Sequence, residues 1–428
     1  MNDSAKRPKA RPVDHSAHRI DTDKLPGGIE AHPLEFSGSG GEFFRVWIVN
    51  VLLSIVTLGL YTPFARRRTA QYFYSNTLVA GSPLEFTAQQ RKMVLGFLIL
   101  VGLYLCFQLA ADTGQDTTVS LFLLAGAALA PYFWGSAMRF RLSATRWRGV
   151  RLQFAAPWRE VYTASWPVFA LALLWIVVVF ALGALGPELP AAASSLQPRG
   201  GPPAPAFPVV TPAMWGLIAL AVVVSVLCII RLEFNYKSLL VLRARVGSHS
   251  GRWKPVYRDF VKIWLATVAV FLLCLALTVA LLALFVGGSI ALLANLKSMD
   301  LLAVLFIVLT VIGFIFVLFL ASAPARAYRE ARMFQLVWSN VGVSQIARFK
   351  CKLKAKRYVV LRLKNMLLTL FTLGFYRPFA MVSEYRMKTE SVTLHIKGGV
   401  DQLAGQLVTQ QGGLGDAMAD AVGLDLVG

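Results

Sequence analysis

Along this 428-residue chain, long apolar runs alternate with short polar and basic ones, and the runs set the architecture before any single residue does. Six of them are long enough to cross a hydrocarbon core, which takes roughly 17–25 residues: Met93–Ala111, Thr118–Met138, Trp166–Gly186, Ala213–Ile230, Ile263–Gly287 and Leu301–Ala323. None of the six contains Asp, Glu, Lys, Arg or His. Two shorter runs flank this block, one on each side, and they spell nearly the same phrase. "NVLLSIVTLGLYTPFA" (Asn50 to Ala65) returns as "NMLLTLFTLGFYRPFA" (Asn365 to Ala380), with ten of sixteen positions identical. Apolar bias accounts for shared leucines. It does not account for a shared Asn, a shared Gly-x-Tyr and a shared Pro-Phe-Ala in one register, so the phrase is an internal repeat.

Composition agrees with a membrane setting: 56% hydrophobic and 15% charged residues, with a mean hydropathy of +0.59, where soluble domains carry about a quarter charged residues. The net charge of +21 raises nucleic acid as a partner, but its distribution argues against one. Loops 62–92, 139–163, 231–262 and 324–364 hold thirty Lys or Arg, against two in loops 112–117, 186–212 and 286–300. That asymmetry is the positive-inside bias, which places the basic loops in the cytoplasm and lets them meet anionic lipid headgroups. Arg66, Arg67, Arg68, Lys350, Lys352, Lys354, Lys356 and Arg357 are the candidate headgroup contacts.

The expected fold is an all-α polytopic membrane protein with six transmembrane helices and two short repeated helices that are re-entrant or interfacial. Only twelve residues, Asn365 to Tyr376, separate Lys364 from Arg377; as a helix they cover roughly 18 Å of a core of roughly 30 Å. An eight-span arrangement, with the two copies inverted as in many transporters, stays open because the first copy offers twenty residues between Arg45 and Arg66. Stretches such as "NTLVAGSPLEF" (Asn76 to Phe86), "ATRWRGVRLQF" (Ala144 to Phe154) and "SVTLHIKGG" (from Ser391) echo one another and suggest short strands pairing into a small cytoplasmic cap. Residues 1–40 read as a polar, disordered tail without the apolar core of a cleavable signal, 41–400 as one membrane domain and 401–428 as a flexible tail. "SGSGGEFF" from Ser37 reads as a flexible entry to the first motif.

Chemistry is sparse. The five histidines are scattered without metal spacing, no phosphate-cradling loop is present, no span carries a carboxylate pair, and the four cysteines form no framework. The reading is therefore a non-enzyme without cofactor or metal. The candidate substrate- or pore-lining residues are the repeated polar and helix-breaking positions: Asn50, Thr57, Gly59, Tyr61 and Pro63, with Asn365, Thr372, Gly374, Tyr376 and Pro378. A polar amide in an apolar helix needs a partner or water, so each Asn is either an interhelical hydrogen bond or part of a wet or headgroup-lined pocket. Two function classes follow: a transporter, channel or lipid-handling protein for an uncharged or lipid-like substrate, and a non-transporting scaffold that binds partners or anionic lipids through its basic loops.

From Leu34 to Phe86 the sequence "LEFSGSGGEFFRVWIVNVLLSIVTLGLYTPFARRRTAQYFYSNTLVAGSPLEF" resembles the opening of the YjgN-like family of bacterial inner-membrane proteins. The shared order is a Phe-x-Gly entry, Thr-Leu-Gly-x-Tyr-x-Pro, a following Arg and an Asn-Thr before an extended piece. The second motif and the Gly- and Asp-containing tail resemble that family's ending. Phe64 and Phe379 stand where the family usually has Trp, and the Pro/Ala-rich loop 186–212 and the long N-terminal tail depart from it. The resemblance implies a multi-pass protein of the bacterial inner membrane, from a family without an established activity and with no catalytic residues to carry over.

Overall fold

A computed structural model describes residues 24–25, 29–113, 116–185, 211–247, 249–293 and 300–397; the tail 401–428 and most of loop 186–212 lie outside them. The helices are α1 (Gly40–Val56), α2 (Thr62–Ser75), α3 (Gln90–Asp112), α4 (Asp116–Ser143), α5 (Trp158–Ala164), α6 (Trp166–Leu185), α7 (Pro212–Arg243), α8 (Tyr257–Leu293), α9 (Asp300–Asn340), α10 (Ala355–Phe371) and α11 (Arg377–Thr389). Five of them, α3, α4, α6, α7 and α8, contain segments long and apolar enough to cross a membrane. The sixth apolar run falls within α9. The last three long helices outrun the bilayer: at 1.5 Å per residue, the 32, 37 and 41 residues of α7, α8 and α9 make rods of roughly 48–62 Å against a core of roughly 30 Å.

At the basic ends of these rods the chain turns through β-strands: β1 (Lys24–Leu25), β2 (Ile29–Pro33), β3 (Glu35–Phe36), β4 (Thr77–Val79), β5 (Ser82–Phe86), β6 (Thr145–Trp147), β7 (Val150–Phe154), β8 (Ala244–Val246), β9 (His249–Arg252), β10 (Gly342–Val343), β11 (Ala347–Cys351) and β12 (Val392–Lys397). All twelve belong to one antiparallel sheet, in the order β1-β2-β12-β11-β10-β9-β8-β7-β6-β5-β4-β3. Only Leu34 separates β2 from β3, so the segment 29–36 pairs with β12 through its first half and with β4 through its second. The sheet therefore bends round on itself into a ring. This corrects the all-α expectation, and it places residues 29–36, assigned by composition to a disordered tail, inside the sheet.

Turn chemistry explains the hairpins. Ala80-Gly81 and Arg148-Gly149 are two-residue loops with positive φ at both positions (49° and 72°; 49° and 81°), the left-handed geometry that matches strand twist and that glycine adopts without steric cost. Along the strands the two faces differ sharply. Trp147 and Val150 join Leu34, Cys351, Val392, Leu394 and Ile396 in one buried cluster, although β6 and β7 lie half a ring away from β11 and β12 in strand order. The apolar face thus fills the inside of the ring, while Arg151, Arg245, Arg348 and Lys350 on the alternate positions are exposed.

The helices follow the same closure. They form five hairpins, α1–α2, α3–α4, α6–α7, α8–α9 and α10–α11, and each packs on the next through α2 on α3, α4 on α6, α7 on α8, α9 on α10 and finally α11 on α1. The last contact brings the two copies of the repeat side by side. Tyr385 packs on Phe36 and Phe73 at 5.1 and 4.8 Å between ring centroids and shares a 2.9 Å hydrogen bond with Thr77. Arg386 donates to the Gly38 carbonyl at 2.6 Å. A Cβ on Gly40 would lie 2.5 Å from the Phe379 ring, and Ser39 and Glu42 make a reciprocal capping box at the start of α1. The glycine-rich entry is therefore a tight junction and not the flexible lead-in expected.

Closure of the sheet can be tested directly. Ala31 and His395 are opposed in the β2–β12 register, so Ala31→Cys with His395→Cys, in a chain whose four native cysteines are replaced, is expected to form a disulfide on mild oxidation. An open sheet would leave both thiols free.

Candidate functional site

The two motif units correspond at a constant offset of 315 positions: α1 runs Gly40–Val56 and α10 runs Ala355–Phe371. Each is a helix, a five-residue turn and a second helix, and the repeated phrase writes the turn. Leu58 and Gly59 have φ of 49° and 88°, and Leu373 and Gly374 have 50° and 95°, so the glycine sits where a side chain would be strained. The Gly59 N–H donates to the Ser54 carbonyl and the Gly374 N–H to the Thr369 carbonyl, both at 2.7 Å, which closes the first helix with a Schellman-type bond. Thr57 and Thr372, the C-cap residues of the first helices, accept from the Tyr61 and Tyr376 N–H groups at 3.0 and 2.9 Å, holding the turn closed ahead of Pro63 and Pro378 in the first turn of the second helix. Tyr61 stacks on Phe64 and Tyr376 on Phe379.

The repeated amides bridge the arms. Asn50 Nδ2 donates to the Ala65 carbonyl and Asn365 Nδ2 to the Ala380 carbonyl, each at 3.4 Å across fifteen residues. All ten candidate positions therefore build two helical hairpins. The tips are apolar and bare: Leu58 is 94% and Leu373 90% exposed.

Beneath the shared scaffold the copies differ. Around Asn365 the second hairpin is polar and filled. The amide also donates to Ser383 Oγ and Glu384 Oε1 at 3.0 and 3.1 Å. Arg362 pairs with Glu384 at 2.6 Å and with Glu330 of α9 at 3.3 Å. Lys388 reaches Glu330 at 2.7 Å and Tyr358 donates to it at 2.9 Å. Burial pushes the Glu330 carboxyl up, but Lys388 and Arg362 outweigh it and hold the group below its ordinary range. At the same offset the first hairpin has Phe43, Trp47, Thr69 and Phe73 in place of Tyr358, Arg362, Glu384 and Lys388. Among the described residues no ion network fills it. A groove of about 560 Å³ opens there, lined by Trp47, Asn50, Val51, Ser54, Ile55, Thr62, Ala65, Arg66, Thr69 and Ala70. Asn50 is 5% exposed and its Oδ1 has no hydrogen-bond partner among the described residues.

The candidate headgroup residues divide as well. Arg66 lines the groove, Arg67 donates to Gln90 Oε1 at 3.4 Å and Arg68 to the Tyr61 hydroxyl at 3.2 Å. Lys352, Lys354, Lys356 and Arg357 are exposed between β11 and the first turn of α10, and Lys350 stands on β11. The Glu330 network was not foreseen from the motif. Its signal lay in extending the offset beyond the sixteen matching positions and asking where the copies part.

Removing the two amides should have unequal effects. Asn365→Leu strands Glu384 and loses three hydrogen bonds, at a cost of about 1–3 kcal/mol, whereas Asn50→Leu loses one weak bond and a buried unpartnered oxygen and should cost about 1 kcal/mol or less. Thermal unfolding of the full chain in detergent, read by size-exclusion fluorescence, should rank Asn365→Leu well below Asn50→Leu; equal losses would contradict the asymmetry.

A family described as "Bacterial protein of unknown function (DUF898)" matches residues 31–421. The chain is similar to "Inner membrane protein YjgN" of Salmonella typhimurium, 27% identical over 150 residues, which are 35% of this chain and 37% of the relative. It is similar to the protein of that name in Escherichia coli O157:H7, 26% identical over 149 residues, and in Escherichia coli K12, 25% identical over 149 residues, with the same shares of each chain. The matched stretch thus spans a little over a third of each of these relatives. No solved structure matches the chain. Apolar helices of membrane length and relatives named as inner-membrane proteins place this chain in the inner membrane as a multi-pass protein.

Proposed function

We propose that this chain, which belongs to the DUF898 family of bacterial proteins, is a six-span lipid-handling protein that holds a phospholipid in its first motif hairpin. In this reading α3, α4, α6, α7, α8 and α9 cross the bilayer, and both motif hairpins dip in from the cytoplasmic side and return. The tip of the second lies only nine residues beyond Lys364, roughly 13 Å of helix, which falls short of a core of roughly 30 Å. Basic residues at the feet of both hairpins then sit at the headgroups on the cytoplasmic leaflet.

The observation that carries the lipid reading is the groove at Asn50. Its walls are chiefly apolar, as a chain-binding surface requires, and its volume lies in the range of roughly 300–1,000 Å³ usual for ligand sites. A buried carbonyl oxygen without a donor is costly. A headgroup ammonium or hydroxyl supplies that donor, while Arg66 supplies the cation for the phosphate. The uncharged spans offer nothing to couple an ion gradient, so the handling is of a lipid and not of an ion. The scaffold reading rests instead on the exposed basic positions of the strand ring.

Topology and ligand are tested separately. A cytoplasm-active fluorescent reporter fused at Met1 and after Gly428 is expected to glow at both ends; activity of an exported phosphatase at those ends would mean that the hairpins cross. For the ligand, the full chain purified in mild detergent should retain about one phospholipid per chain after exhaustive washing, measured by phosphorus assay and native mass spectrometry. Thr69→Phe, which fills the groove, and Arg66→Gln should each lower that retention several-fold, with Lys352→Gln unchanged. Equal trace lipid in all four chains would remove the lipid reading and leave the scaffold.

A further inference from the structure

The outer face of the strand ring holds a second basin, about 1100 Å³, where the two-residue strand β10 leaves space between β9 and β11. Arg252, Lys254, Arg348, Lys350, His395 and Lys397 line it, and no Asp or Glu does among the described residues. Register sets these side chains side by side. Gly342 is opposed to Arg252 on one flank and to Arg348 on the other, and Arg348 is opposed to His395. Opposed residues project to the same face, and strands lie roughly 4.8 Å apart, so Arg252, Arg348 and His395 form a row about 15 Å long with a glycine gap inside it. Lys350 and Lys397 lie two residues along the same face from Arg348 and His395. None of the five Lys and Arg has an ion pair among the described residues, although other cations at the helix feet, Arg329, Arg362 and Lys388, are all paired with carboxylates.

We infer that this basin is a binding site for a soluble cytoplasmic anion carrying two or more phosphates. Like charges gathered without counter-charges repel one another, and a polyphosphate relieves that repulsion with several charge-assisted hydrogen bonds at once. Distance from the bilayer excludes the lipid surface as the source of the phosphates. Ser339 and Asn340 at the end of α9 line the basin, and they lie sixteen residues or more past Ala323, where the apolar run ends. That is roughly 24 Å of helix, whereas the headgroup layer beyond the core adds only roughly 5–8 Å. The ring carries the basin out into the aqueous phase.

The test is calorimetric titration of the full chain in detergent with two probes, ATP and inorganic triphosphate, at low and at physiological salt. Saturable binding is expected, weakening steeply with salt. Arg252→Gln and Arg348→Gln should each raise Kd tenfold or more, and Arg245→Gln, on the same face of the ring but outside the basin, should leave it unchanged. Comparable affinity for ATP and triphosphate would assign the binding to the phosphate contacts, and a preference for ATP would add a contact to the nucleoside; both support it. No saturable binding, or equal weakening by all three variants, would overturn it. So would binding that emerges only when the chain is cut after Lys397: the tail that follows carries four Asp and no Lys or Arg, and the basin would then belong to the protein's own tail.

Discussion

Strand pairing along residues 29–36 is the constraint on which the architecture depends. Every strand here is two to six residues long, and a single hairpin of that size is marginal in water. Four hairpins hung between helices would leave two open edges. The segment 29–36 pairs with β12 on one side and β4 on the other, and in doing so it joins the β4–β5 hairpin to the last strand of the sheet. Once the edges meet, the apolar faces enclose Trp147, Val150, Leu394 and Ile396, and the helices above have no freedom to choose other neighbours: the closed sheet places α11 against α1.

That adjacency gives the repeat its meaning. Two copies of one hairpin, separated by the whole membrane block in sequence, become contiguous in space, with Tyr385, Phe36, Phe73 and Thr77 at their seam. They share a backbone and differ in filling. In the second copy an ion network ties Asn365 to α9 through Glu384, Arg362 and Glu330. In the first, aromatic residues replace the ions, and the space that remains is the groove with its unpartnered amide oxygen. A duplicated element with one structural copy and one open copy is a physical route to a binding site, because the filled copy supplies rigidity while the open copy is free to take a ligand.

Part of this was legible from single residues. Thr-Leu-Gly-x-Tyr-x-Pro encodes its turn locally: glycine for the left-handed position, threonine for the bond across the turn, proline for the first helical turn. The two-residue loops at Ala80-Gly81 and Arg148-Gly149 are equally local, which is why the strand echoes could be noticed. Their extent could not be. A three-residue strand such as Thr145–Trp147 carries too few positions for a period-two signal to rise above its surroundings, and one of the two partners that stabilise it, β5, lies about sixty residues away. Polar composition similarly hid residues 29–36, whose role is backbone pairing and so leaves little trace in side-chain type.

The sequence by itself determined the membrane setting, the alternation of uncharged spans with basic turns and the conformation of each motif turn, because hydropathy, charge asymmetry and turn stereochemistry all act over a few residues. Tertiary structure decided which elements meet. Only the fold shows that the repeated Asn bridge two arms, that Glu330 belongs to the second hairpin, that Arg252, Arg348 and His395 share one face, and that one copy is filled while the other is open. These are long-range contacts, and their energies depend on neighbours that no local window contains.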